Sequence, residues 1–286
     1  MADRLVLLGT KGGPAVRKGG PNPTSSLIEI AGRACVVDCG YGVTRALVEA
    51  GVALKDLDAI FITHLHSDHV LELGPLLHTA WTSGLSRPVT VWGPPGTIGV
   101  WQGFRQSLAY DIGIRIEDEG RPDLARLVDV REYGEGIVMA DGRLRVSAAR
   151  VHHPPVTECY ALRFDSADWS VTFGSDTAYH PPLAEFAKGS DILVHEAMLL
   201  PGVDRIAALA ANGDRVKAHI LASHTSAEDA GRIARMAGVG HLVLHHLLPA
   251  DDPAFGEADW LAEVARSFDG RVTVARDGLE IERREG

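Results

Sequence analysis

The stretch that decides the fold is Ala59-Ile60-Phe61-Ile62-Thr63-His64-Leu65-His66-Ser67-Asp68-His69. Its first four residues are apolar on both faces of an extended chain, as in a short strand buried between layers. Four candidate metal ligands follow within six residues, at the C-terminal end of that strand, where open α/β sheets place their sites. Alternate side chains of an extended chain point the same way, so His64 and His66 can share one ion. The turn that follows redirects Asp68 and His69 towards another. A turn that is merely rich in histidine is disfavoured, because three imidazoles and a carboxylate would be stranded at the end of a buried strand.

Outward from this segment, short apolar runs of strand length recur along the chain, among them residues 4–8, 26–30, 34–38, 89–92, 159–164, 170–173, 192–195, 241–245 and 271–275. Helix-period stretches lie between several of them, at 44–50, 73–83, 226–237 and 257–267. Ser226 opens one with Glu228 and Asp229 in its first turn, and Gly238 closes it. This pattern is an α/β chain. No Pro/Ser-rich or charged linker divides it, so one domain over residues 1–286 is expected, with an inserted loop/helix region at about 93–136. The runs 60–62 and 242–244 each lead straight into histidines, which suggests two related halves facing one site.

Further ligands stand singly at strand ends: His152-His153, Asp176 and His245-His246. Spacing alone does not choose within either histidine pair. Imidazole and carboxylate donors together favour zinc, with manganese, iron and cobalt also compatible. His78, His180, His219 and His241 lie on or beside apolar segments without matching partners and are left outside the site. Lys11-Gly12-Gly13-Pro14 fits neither phosphate-loop spacing and is expected at most to border the pocket.

Composition bounds the function. The 28 Lys and Arg against 38 Asp and Glu give a net charge of −10, which disfavours nucleic acid as a partner. Three cysteines, Cys35, Cys39 and Cys159, cannot form a disulfide framework, and the N-terminal apolar run is too short for a signal peptide; a reduced, cytoplasmic protein is expected. No apolar stretch reaches the roughly 18 to 20 residues of a membrane helix. Gly-x-Ser-x-Gly is absent, so a serine esterase has no support.

In order along the chain, Leu7-Leu8-Gly9-Thr10, Asn22 to Ser26, Val37-Asp38-Cys39-Gly40, His64-x-His66-x-Asp68-His69, His153, Gly174-Ser175-Asp176-Thr177, His195-Glu196-Ala197 and His246 resemble the metallo-β-lactamase superfamily. The closer resemblance is to its ribonuclease Z and arylsulfatase-like branch. It implies an αβ/βα four-layer sandwich with a two-metal site at the sheet edge. Carried over by position, His64, His66 and His153 hold one ion, Asp68, His69 and His246 the other, and Asp176 bridges them. Asp38 would orient a ligand histidine by accepting its other N–H. His195-Glu196-Ala197 and Ser223-His224-Thr225 resemble the pair that serves the leaving group, so Glu196 would orient His224, the general acid or oxyanion stabiliser. Asp68 would also take the nucleophile's proton.

The implied activity is hydrolysis by an ion-activated water. A small ester-type substrate (a sulfate ester, phosphodiester or lactone) is expected, because only residues 154–175 separate His153 from Asp176, where ribonuclease Z carries a long arm for tRNA. A ribonuclease Z-type tRNA 3′-processing endonuclease is the alternative, and a non-catalytic metal-binding protein on the same scaffold is a third reading. A homodimer is expected. Trp81, Trp101, Phe104 and Tyr110 could form an apolar substrate wall or ordinary core.

Overall fold

The computed structural model describes residues 3–283. Two seven-stranded sheets face each other. The first contains β1 (Arg4–Gly9), β2 (Ser25–Ile30), β3 (Arg33–Val37), β4 (Ala59–Phe61), β5 (Val89–Gly93) and β6 (Val128–Glu132). The second contains β7 (Gly136–Ala140), β8 (Leu144–Arg150), β9 (Tyr160–Ser166), β10 (Ser170–Phe173), β11 (Ile192–Met198), β12 (His241–Leu248) and β13 (Arg271–Val274). The last strand, β14 (Leu279–Glu282), returns to the first sheet beside β1, giving the orders β14-β1-β2-β3-β4-β5-β6 and β13-β12-β11-β10-β9-β8-β7.

Both sheets follow one plan. Antiparallel pairing from β1 to β3 turns parallel from β3 to β6, and antiparallel pairing from β7 to β10 turns parallel from β10 to β13. The parallel strands need crossovers, and these put the helices on the outer faces. The first sheet is covered by α1 (Val43–Glu49), α2 (Ser67–Val70), α3 (Leu73–Thr82), α4 (Thr97–Ser107), α5 (Ala109–Glu119) and α6 (Leu124–Leu127). Along the second run α7 (Pro182–Ala187), α8 (Leu200–Leu209), α9 (Gly213–Ser223), α10 (Ala227–Ala237) and α11 (Glu257–Val264). The result is the expected four-layer sandwich.

The pleat explains why the strands read as continuous apolar runs. In β4, Phe61 packs between the sheets with Phe164, their rings 5.1 Å apart and edge to face, whereas Ile60 packs outward among Leu73, Leu77 and Trp81. Helix α10 matches its sequence signals. Ser226 Oγ accepts from the Asp229 amide at 3.1 Å, two acidic residues stand in the first turn, and Gly238 ends the helix at φ 65°.

The region expected to be a loop/helix insertion is helical and belongs to the regular crossover plan of the sheet. Residues 94–127 form the helical crossover from β5 to β6, and β6 completes the first sheet as its edge strand. Trp81 and Trp101 are buried in the core with Phe104 packed against them, so they form no substrate wall, and Tyr110 is exposed on α5. Burial of apolar surface outweighed the Gly/Pro punctuation that suggested a loop. No helix among the described residues is long and apolar enough to cross a membrane.

Candidate metal centre

Both sheets deliver their chemistry to one edge of the sandwich. Asp38 lies just past the end of β3, His64 to His69 follow β4, His153 follows β8, Asp176 follows β10, and His246 lies in β12. The backbone is bent at or beside three of these positions. Asp38, Ser175 and His246 have φ of 63°, 58° and 43°, a left-handed conformation unusual for side-chain-bearing residues and typical of functional turns.

Two groups of ligand atoms share Asp176, the atoms of each lying within 4.8 Å of one another: His64, His66, His153 and Asp176, and Asp68, His69, Asp176 and His246; Glu196, His224 and His246 form a third such group. In the first, His66 Nδ1 stands 3.1 Å from both His64 Nε2 and His153 Nε2. Zinc ligands about 2.0–2.1 Å from the ion in a tetrahedron lie about 3.3 Å apart, so this spacing suits a metal. In the second, Asp176 Oδ2 is 2.9 Å from His246 Nε2 and 3.3 Å from His69 Nε2, and Asp68 Oδ2 is 3.5 Å from His246 Nε2. Asp176 belongs to both. His69 Nε2 and His246 Nε2 are buried without a hydrogen-bond partner, which is costly unless something else engages their lone pairs. The donor chemistry and these orphaned nitrogens fit metal ions. His66 alone of the seven is only partly buried, so the cluster opens outward on its side.

The rings are held from behind. His64 Nδ1 meets Thr63 Oγ1 at 3.1 Å, His69 Nδ1 donates to Asp38 Oδ2 at 2.8 Å, and His153 Nδ1 donates to the Ser223 carbonyl at 2.9 Å. Asp38 is itself anchored by the Thr63 amide at 2.8 Å. Such outer partners set tautomer and ring angle. The Gly13 amide donates to Asp68 Oδ2 at 2.8 Å, bringing the glycine-rich loop onto the site.

Electrostatics differ between the groups. Burial drives His64 well below its ordinary value, with His69 adding repulsion. Burial opposes charge on His246 too, but the Asp176 and Asp68 carboxylates outweigh it and push His246 up to about 10. His69 is likewise raised, against burial, by Asp176, Asp38 and Asp68. Asp68 is held well below the carboxylate range, since His69 and His246 overcome its desolvation.

His152 and His245 fall outside both groups. His152 is exposed; His245 is buried with Nε2 unpaired and is driven down to about 3 mainly by burial. His195 is buried and donates from Nδ1 to the Glu196 carbonyl at 2.7 Å. Glu196 Oε2 accepts from His224 Nδ1 at 2.9 Å, and the His224 ring leans on both groups, 5.1 Å from His153 and stacked 5.3 Å from His246. Burial lowers His224, yet Glu196 leaves it raised overall. Gly12 and Gly13, expected at most to border the pocket, do so, whereas the sequence assigned no role to Thr63, Ser223 or His219, which support or border these groups.

The family model described as Anti-Pycsar protein Apyc1 matches residues 4–237. A ribonuclease Z of Mycobacterium sp. (strain KMS) is 36% identical over 283 residues, covering 97% of this chain and 95% of that protein. Among solved structures, the metallo-β-lactamase fold protein YhfI of Bacillus subtilis aligns with a TM-score of 0.71 at 24% identity, covering 99% of this chain and all of that one. The short form of human tRNase Z aligns at 0.69 and 18% identity, with 99% and 100% coverage. The chain belongs to the metallo-β-lactamase superfamily, in the Anti-Pycsar protein Apyc1 family and alongside full-length relatives named ribonuclease Z. It is a metal-dependent hydrolase.

One expectation is overturned. Net charge and the short 154–175 segment argued against nucleic acid, yet chains named ribonuclease Z align over nearly the whole length. A total of −10 sums the entire surface, whereas a phosphate responds to local charge. Here the exposed Lys18 lies on the loop whose Gly13 amide reaches Asp68, although Lys11 beside it is buried and Arg17 is paired with Asp251. The segment is indeed short, holding only β9, β10 and their turns. A different excursion, the helical pair α8–α9, lies along the chain between Glu196 and His224.

Proposed function

We propose that this chain is a ribonuclease Z-type phosphodiesterase that cleaves RNA, with two zinc ions held by the residues described above. The observation that carries the proposal is the pair of ligand groups sharing Asp176, with the Glu196–His224 pair leaning on both. The full-length relatives named ribonuclease Z support the substrate class. His64, His66 and His153 would hold one ion, Asp68, His69 and His246 the second, with Asp176 between them. Bound there, the ions would supply Lewis acidity to the phosphodiester and lower the pKa of the attacking water.

The chain's own groups divide the proton work. Asp68, fixed by the Gly13 amide and held ionised, accepts the proton of the attacking water. His224 keeps Nδ1 on Glu196 and presents Nε2, from which it protonates the departing ribose oxygen. Asp38 does no chemistry; it fixes the His69 ring.

The test is cleavage of a 3′-extended tRNA precursor by zinc-loaded protein, run beside aryl sulfate, lactone and β-lactam panels. Cleavage of the RNA, abolished together with metal loading in Asp176→Ala and His66→Ala, is expected. An intact precursor under conditions where another panel member turns over refutes the assignment.

A further inference from the structure

We propose that His219, on the α9 helix, is a substrate-binding residue that accepts a hydrogen bond from the ribose 2′-hydroxyl of the departing nucleotide and so makes the enzyme selective for RNA. The inference rests on the ribonuclease reading above and extends it to a residue outside both ligand groups.

The argument starts at the end of α9. Ser223, its last residue, sends its carbonyl to His153 Nδ1 and its hydroxyl proton to the Pro154 carbonyl, at 2.9 and 2.5 Å. His219 stands one turn earlier on the same helix face, and its Nδ1 is 3.4 Å from Ser223 Oγ. A hydroxyl has one proton, and Pro154 already takes it. The contact therefore needs the imidazole to donate from Nδ1, which leaves a lone pair on Nε2. Nε2 has no partner among the described residues, and the residue is exposed. Partial burial and the neighbouring His224 also hold His219 below its ordinary value, in keeping with a neutral ring.

The His219 ring is 6.3 Å from that of His224 and perpendicular to it. His224 is the group assigned to the departing ribose oxygen. With hydrogen bonds of about 2.8 Å, two imidazoles at this separation can address the two adjacent oxygens of one sugar. His224 would donate to the 3′-oxygen while His219 accepts from the 2′-hydroxyl. That hydroxyl is the group by which a protein distinguishes RNA from DNA. An outward-facing acceptor selects a hydroxyl over phosphate oxygens, which are acceptors themselves.

The experiment uses zinc-loaded full-length protein and two versions of one RNA substrate: all-ribose, and carrying a single 2′-deoxy sugar at the departing nucleotide. The wild type is expected to favour the all-ribose RNA by about tenfold in kcat/KM, the size of one neutral hydrogen bond. In His219→Ala the ratio falls to about one, because only the all-ribose rate drops. His219→Gln, whose amide oxygen can accept, restores part of it. Zinc content and melting temperature of both variants report whether the fold and the ligand groups are intact. A wild-type ratio near one, or a tenfold ratio that survives in His219→Ala, overturns the proposal while leaving the ribonuclease assignment standing. Hydrolysis of bis(p-nitrophenyl) phosphate without any RNA cleavage refutes the assignment and this inference with it.

Discussion

Adding one methyl group at Gly12 should disable the second ligand group without replacing any of its members. A Cβ built there would sit 2.8 Å from both Cε1 and Nδ1 of the His246 ring and 2.8 Å from Leu248 Cγ. Ordinary contact begins near 3.4 Å, so the ring must retreat by 3.4 − 2.8, or 0.6 Å. Metal–ligand distances tolerate about 0.2 Å, so the displacement is roughly three times what coordination allows. The alternative is that the loop backs away. That movement pulls the Gly13 amide from Asp68 Oδ2, now 2.8 Å distant, and so disturbs another member of the same group. Either route costs the second ion, with turnover falling by about a hundredfold, the usual penalty for misplacement on the ångström scale. Overpacking costs about 1–3 kcal/mol, so the protein should stay folded. The assays are metal content by mass spectrometry, melting temperature, and turnover of bis(p-nitrophenyl) phosphate. Gly12→Ala protein with wild-type turnover and an undiminished metal content would refute the assignment of His246 and Asp68 to a common ion.

Two further outcomes are expected. Glu196→Gln removes the carboxylate that keeps His224 raised against its burial, so His224 loses its proton at lower pH. The alkaline limb of the kcat–pH profile should move to lower pH, and kcat should fall by about a hundredfold, as for loss of a positioned acid; an unmoved limb contradicts the role of His224. In metal-stripped protein His246 is pushed up to about 10 and carries a proton at pH 7, and His69 is raised in the same direction. His246 must lose that proton to bind an ion, so zinc loading at pH 7 should release at least one proton and weaken as pH falls. Calorimetric titration in buffers of different ionisation enthalpy measures this, and a release near zero would be the contrary result.

The ligand types and their order were legible because strand periodicity and the β4-His-x-His-x-Asp-His run depend only on local geometry. Spacing could not choose between His245 and His246, since the answer lies in the register of β12 against β11. Glu196 pairs with His245, but Ala197 pairs with Leu247, so a bulge at His246 takes that residue out of the ladder at φ 43° and onto Asp176. His153 is chosen over His152 in the same way, because Ser223, 70 positions away, accepts from its ring. The stretch at 93–136 reads as an insertion because its glycines and prolines are local signals, whereas the core against which its helices pack is supplied by α3 and the first sheet. His219 was passed over for the same reason, since its neighbours at the site are assembled only when α9 folds back beside His153.

The sequence by itself thus determined the α/β class, the strand ends that carry the chemistry and the donor types, since each is written in residues adjacent along the chain. What only the tertiary structure decided is which bulge and which distant partner set each ring: the register shift at His246, the Ser223 carbonyl behind His153 and the Asp38 carboxylate behind His69. Those choices are made by contacts between segments tens to hundreds of residues apart, where burial and hydrogen-bond satisfaction act on the whole sandwich and not on any one stretch of it.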